Sequence, residues 1–333
     1  MTNNRPVDHE HLAPNLVGGK SNTFGFEDYI RETAQCGLDI HGICVRQHDQ
    51  ILGQFHWWDG RRADINSCSK SVVSLALGMA IGEGFLGLDE RIIDVLPQLA
   101  PAEPSENLRK ITIRHLVTMT PGYAKNILPG WQRDWEPDRD WAHYCLHQTV
   151  TYAPGERFIY NNASAILTAR AIQVRTGEKL VDWLRSRLFD PLEIPNPQWF
   201  TCPLGYTAGT GGLFLNLEEM SRIGQLCLNN GIWRGRQLVP EGYIREATSR
   251  QVSNEGHPMR SGPDDQAGYG YFFWMTRDPE TFDAYGMYGQ HIFVFRALDA
   301  VVTVSAHLER EEMRQRAFDA LKKTVVPKLQ ERV

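Results

Sequence analysis

A serine and a lysine three residues apart, Ser67 and Lys70, head the segment INSCSKSVVSLALGMAIG (65–82). On a helix that spacing puts both side chains on one face and in contact. The residues that follow are apolar or small all round, so this helix is predicted to be central and buried. An unpaired ammonium is costly to bury, and such a lysine sheds its proton more readily than usual. A neutral amine beside a hydroxyl can take the hydroxyl's proton and turn the serine into a nucleophile. Ser67 also stands where the helix begins, where backbone N–H groups and the positive end of the helix dipole suit a developing oxyanion. Ser69 should point off that face, and Ser71 reads as structural. On this spacing alone a second reading stands beside the first, a lysine that snorkels to the surface.

The elements that must hold these groups follow from the pattern along the chain. Residues 24–36 have helical spacing. IHGICVRQ (40–47) and QILGQFHWW (50–58) read as a β-hairpin turning at His48-Asp49. After the serine-bearing helix, helical patterns cut by prolines occupy 91–96, 113–119, 164–176 and 180–189. Two more short helices are expected within 211–228 and 238–248. Strands are expected again at 269–276, 284–296 and 300–307, and a helix closes the chain over 309–325. Early and late strands enclosing a helical middle imply an α+β fold with the helical part inserted into the sheet-bearing part. The expected division is a discontinuous sheet domain, 1–88 with 203–333, and a helical domain, 89–202, with the active region at their junction.

With 333 residues, 42% hydrophobic and 23% charged, the chain can build its own core without disulfides or a structural metal. The net charge of −5 and the lack of any basic stripe argue against nucleic acid or an anionic membrane as partner. No run is long enough for a membrane span, and the first twenty residues lack the apolar core of a secretory signal. The six cysteines are scattered, with no CxxC, which predicts free thiols in a reducing cytoplasm.

From about residue 40 to 305 the chain resembles the serine β-lactamase/penicillin-binding-protein superfamily. It looks nearest to class C β-lactamases and the related family VIII esterases and D-amino-acid peptidases. Ser67-x-x-Lys70 resembles the first motif of such enzymes. The resemblance implies a β-lactamase/transpeptidase-like fold, an antiparallel sheet flanked by terminal helices with an all-helical insertion. PGERFIYNN (154–162) resembles the family's Tyr-x-Asn motif. It implies that Tyr160 shuttles a proton between nucleophile and leaving group, and that Asn162 positions substrate. A satisfied core tyrosine is the ordinary alternative. The family's third motif, Lys-Thr-Gly or His-x-Gly on a strand, matches Ala284-Tyr285-Gly286, where the basic residue is missing. Gly286 would let substrate lie close along the strand. By resemblance, the Met287 N–H joins that of Ser67 in the oxyanion hole, and Gly289-Gln290 matches a pair that many esterase- and amidase-like relatives carry. Gln290 is counted with the substrate-side residues. His115, inside an apolar helix, reads as structural.

The loop 122–144 carries Trp131, Trp135 and Trp141, either as an apolar wall for an acyl or leaving group or as ordinary packing. The function implied is a serine hydrolase that cleaves an ester or amide of a small molecule through an acyl-enzyme on Ser67. Without a basic residue at 284, efficient β-lactam turnover is not expected. No metal or organic cofactor is implied. Acyl transfer by the same residues, and a silent binding or scaffold protein of the same fold, are the alternatives.

Overall fold

Hydrophobic residues run almost unbroken through ICV, IFVF and AVVTV, as they do in strands covered on both faces. The computed structural model describes residues 24–57, 60–133, 135–257 and 266–333 and builds these runs into one antiparallel sheet. Its strands are β1 (Ile40–Gln47), β2 (Gln50–His56), β3 (Trp274–Met275), β4 (Thr281–Gly286), β5 (Gln290–Phe295) and β6 (Ala300–Ala306). Their spatial order is β2-β1-β6-β5-β4-β3. The early hairpin therefore joins the sheet beside the last strand, with Val45 opposite Val302 and Ile43 opposite Val304. His48 and Asp49, at the hairpin turn, are both left-handed (φ 50° and 59°), as a tight two-residue connection requires.

Both sheet faces are covered. Ile43, Val45, Phe293, Val302 and Val304 pack with Tyr29 of helix α1 (Glu27–Gln35) and Leu321 of the closing C-terminal helix, Glu311–Thr324. Ile292, Val294 and Val301 face the other way, into a larger core shared with the helical middle of the chain. That core is centred on α2 (Cys68–Gly82) and α3 (Asn162–Thr176), which pack on each other, while α2 also lies against β4. Every residue from Cys68 to Ala80 in α2 and from Asn162 to Gln173 in α3 is buried. This explains why neither sequence shows an apolar stripe.

Three expected elements take a different form. Residues 211–228 do not begin as helix. Gly212 is left-handed (φ 76°) and a side chain there would collide with Phe200, so Leu213–Leu215 forms a short strand between Ala63–Asp64 and Gln198–Trp199. Helix α4 (Leu217–Leu228) starts only at Asn216, which caps it reciprocally with Glu219. Within 269–276 only β3 is regular, because left-handed Phe272 (φ 61°) interrupts the run. The stretch 284–296 holds the end of β4 and all of β5, separated by left-handed Tyr288 and Gly289. No helix among the described residues is long and apolar enough to cross a membrane.

Candidate active site

The chain enters α2 through a tight corner. Asp64 Oδ1 accepts the N–H of Asn66 at 2.7 Å and that of Gly212 at 2.8 Å. Asn66 is left-handed (φ 49°), a conformation asparagine tolerates better than most residues. Ser67 follows as the half-buried N-cap residue, but its side chain does not cap the helix. Its hydroxyl meets Lys70 instead: Nζ donates to Ser67 Oγ at 2.9 Å and to the Thr210 carbonyl at 2.8 Å.

Lys70 is only 1% exposed, so the snorkelling alternative is overturned. Burial lowers its pKa to about 7, and the Arg133 guanidinium pushes the same way; Cys68 and Asp64 oppose it more weakly. The other serines are spent on packing. Ser69 Oγ accepts from the Leu213 N–H at 3.4 Å, and Ser71 Oγ donates to the Phe272 carbonyl at 2.6 Å.

Tyr160 comes to this pair from the start of α3. Lys70 Nζ lies 5.0 Å from its ring centroid, and Trp274 stacks on the ring at 5.5 Å. The Tyr160 N–H donates to His257 Nε2 at 3.4 Å. Asn161 caps α3: its Oδ1 accepts from Ala163 at 2.9 Å and Ile127 at 3.2 Å, while Nδ2 donates to the Lys125 carbonyl at 2.7 Å. Asn162 Nδ2 donates to the Leu128 carbonyl at 2.9 Å. These two amides therefore tie the tryptophan-bearing loop to the helix that presents Tyr160.

The end of β4 reaches the same corner from the sheet. The Cys68 thiol donates to the Ala284 carbonyl at 3.1 Å, and burial keeps its pKa well above the usual thiol value. A Cβ on Gly286 would stand 2.3 Å from the Ile65 carbonyl, so only glycine lets the strand approach so closely. Met287, the next residue, is half exposed. Gln290 is buried and turned along the sheet, donating to the Ala306 carbonyl at 2.6 Å and accepting from Ser305 at 2.9 Å. Its amide is thus engaged away from the serine–lysine pair.

Among the loop tryptophans, Trp141 is buried and Trp135 is 85% exposed, while the Trp131 side chain lies outside the described part of the structure. His115 is part of the helix cap at Thr112, whose N–H it accepts at 3.1 Å.

Three participants escaped sequence reasoning. Thr210 holds Lys70 through a carbonyl, which leaves no side-chain signature. Asp64 braces the corner through backbone N–H groups. Arg133, two residues after Trp131, donates to Thr210 Oγ1 at 2.8 Å and lies over the Trp141 ring at 5.8 Å. Only its position in the loop that carries three tryptophans could have drawn attention.

Residues 35–325 match the Beta-lactamase family model. The chain is 24% identical over 366 aligned positions to Esterase EstB of Burkholderia gladioli, covering 86% of this chain and 90% of the esterase. It is 20% identical over 251 positions to 6-aminohexanoate-dimer hydrolase of Paenarthrobacter ureafaciens, covering 71% of this chain and 64% of that one. Its fold is similar to that of an octameric penicillin-binding protein homologue from Pyrococcus abyssi, at a TM-score of 0.71 and 16% identity, over 90% of this chain and 76% of the other. A half-buried serine on a buried lysine at a helix start, beside a sheet that joins early and late strands, thus coincides with a family match across most of the sequence: the chain belongs to the β-lactamase family and is a serine hydrolase.

Proposed function

We propose that the protein hydrolyses an ester or amide of a small molecule through an acyl-enzyme on Ser67. The observation that carries this reading is the 2.9 Å contact between Ser67 Oγ and Lys70 Nζ, made by an amine buried enough to lose its proton near neutrality. In the first step Ser67 Oγ attacks the carbonyl carbon while Lys70 takes the hydroxyl proton. Tyr160, against Lys70, passes that proton to the leaving group. The N–H groups of Ser67 and Met287 hold the oxyanion. Water then adds to the acyl-enzyme and Ser67 leaves as the alcohol. Asn162, Gly286 and Trp131 belong to the substrate side in this reading, whereas the Gln290 amide, bonded to Ala306 and Ser305, does not, and neither metal nor organic cofactor takes part. The site falls between the sheet-bearing part, 1–88 with 203–333, and the helical part, 89–202. The relatives named as an esterase and as a 6-aminohexanoate-dimer hydrolase support the choice of ester or amide. Ala284, neutral and buried, supports weak β-lactam turnover at most. All six cysteines are free thiols, which supports a reducing, cytoplasmic setting.

A fluorophosphonate probe and short-chain nitrophenyl esters, applied to wild type and Ser67→Ala, test the reading. Wild type should be labelled and should turn over the esters, and Ser67→Ala should do neither. An unlabelled, inactive wild type sinks the enzyme reading, and labelling that survives Ser67→Ala moves the nucleophile elsewhere. A chromogenic cephalosporin should be cleaved slowly or not at all.

A further inference from the structure

The short helix Trp141–Leu146 buries Trp141, Ala142, Cys145 and Leu146 and leaves His143 on its outer side, with His147 one turn further on at its end. Residues four apart on a helix are neighbours, and the two imidazole rings lie 4.0 Å apart between centroids. Each ring has its Nδ1 committed to an acceptor. His143 Nδ1 is 2.6 Å from Asp138 Oδ2, and His147 Nδ1 is 2.9 Å from the His143 carbonyl. A carboxylate and a carbonyl only accept, so in both rings Nδ1 carries the proton and donates it. The lone pairs of the two neutral rings are then on the Nε2 atoms, and both side chains reach solvent. This is the arrangement in which imidazole serves as a metal ligand. One nitrogen is open, and the other N–H is held by a carboxylate or a carbonyl that fixes tautomer and ring orientation.

We propose that His143 and His147 bind one divalent transition-metal ion through their Nε2 atoms, at a site separate from the Ser67–Lys70 pair and independent of the hydrolase reading. Metal–nitrogen bonds of about 2.0–2.1 Å place two ligand nitrogens within about 4 Å of each other, a span that these rings can meet. Asp138 is an orienting partner and not a ligand. Its Oδ2 holds His143, and its Oδ1 accepts the Asp140 N–H at 2.9 Å. Its charge also favours a cation beside the rings. Among the described residues no third His, Cys, Asp or Glu completes a metal cluster, so water fills the remaining positions. Two imidazole ligands select Cu²⁺, Ni²⁺ and Zn²⁺ over Mg²⁺ and Ca²⁺, which prefer oxygen.

The test titrates the full chain with Ni²⁺, and separately with Mg²⁺, by isothermal titration calorimetry. Wild type should bind Ni²⁺ saturably and show no Mg²⁺ binding at the same concentrations. His143→Gln and His147→Gln should each weaken the Ni²⁺ site about 100-fold or more, beyond what an outer partner contributes. Asp138→Asn should weaken it about tenfold. Both histidines reach solvent, so these variants should keep the wild-type circular dichroism. A spectroscopic measurement on wild type alone covers the case in which they do not. With one equivalent of Cu²⁺, the tightest binder of the series, electron paramagnetic resonance should show two imidazole nitrogens on the ion. A wild type that binds no Ni²⁺ overturns the inference, as does Ni²⁺ binding that is unchanged in His143→Gln or in His147→Gln. So do equal affinities for Ni²⁺ and Mg²⁺, and so does a Cu²⁺ spectrum with fewer than two imidazole nitrogens. Unchanged Ni²⁺ affinity in Asp138→Asn overturns the orienting role given to that carboxylate.

Discussion

A lysine that loses its proton near neutrality makes catalysis rise with pH. Lys70 has its pKa lowered to about 7, so the free amine that accepts the Ser67 proton grows as pH passes upward through that value. The kcat/KM for a neutral ester should follow an acid limb centred there. Arg133→Gln removes the cation that assists burial in depressing Lys70, so its limb should lie at higher pH than that of wild type. Parallel pH–rate profiles check this, and a limb unmoved or moved downward would refute the coupling. Tyr160→Phe keeps the stack on Trp274 and the face toward Lys70 but removes the hydroxyl. Its kcat should fall about 10²-fold or more, with the circular dichroism of wild type. Ser67 and Lys70 are legible in sequence because a lysine at the head of an apolar run needs a reason. Thr210 and Arg133 are not, since one acts through its backbone and the other is brought in by packing from a distant loop.

Helix α2 serves the chemistry because strand β4 and helix α3 clamp its start from two sides. The β4 clamp depends on a missing side chain. A methyl at Gly286 would stand 2.3 Å from the Ile65 carbonyl, a backbone atom that cannot swing away. Gly286→Ala should therefore push the strand off the Ser67 corner. We expect a loss of about 1–3 kcal/mol in stability and a far larger proportional loss in kcat, read by urea unfolding and ester turnover on the same sample. Wild-type kcat in this variant would show that the close approach is unnecessary.

The α3 clamp depends on Asn161. Its side chain is fully buried and serves the N–H of Ile127 and Ala163 and the carbonyl of Lys125. Asn161→Ala loses a helix cap and strands the buried Ile127 N–H, so unfolding free energy should drop by about 2 kcal/mol. A drop under about 0.5 kcal/mol would mean the loop does not lean on α3. Elements with long apolar runs were readable in sequence, as β1, β5 and β6 show. Those set by single left-handed residues were not: Phe272 and Gly212 turn expected strand and helix into other shapes through contacts that have no local pattern.

At the scale of the whole molecule, the sheet joins the first strands to the last, and this topology followed from the order of strands along the chain. The fold then buries an amine at its centre, beside the Ser67 hydroxyl, the Thr210 carbonyl and the Tyr160 ring. That choice has a thermodynamic signature. The unfolded chain holds its Lys70 proton up to about pH 10.4, whereas the folded chain releases it near 7. Between those values the unfolded state binds more protons, so stability rises with pH through the window, and the full penalty of the buried ammonium stands below pH 7. Lys70→Met removes this titration while keeping most of the volume. Guanidinium unfolding from about pH 6.5 to about pH 9 should show wild type gaining about 2 kcal/mol relative to the variant. The variant is expected to be inactive throughout. The comparison between pH values cancels the fixed cost of the Thr210 carbonyl that Lys70→Met leaves without its donor. Parallel stability profiles for the two proteins would mean that Lys70 stays charged in the fold, and would remove the amine from the role of base.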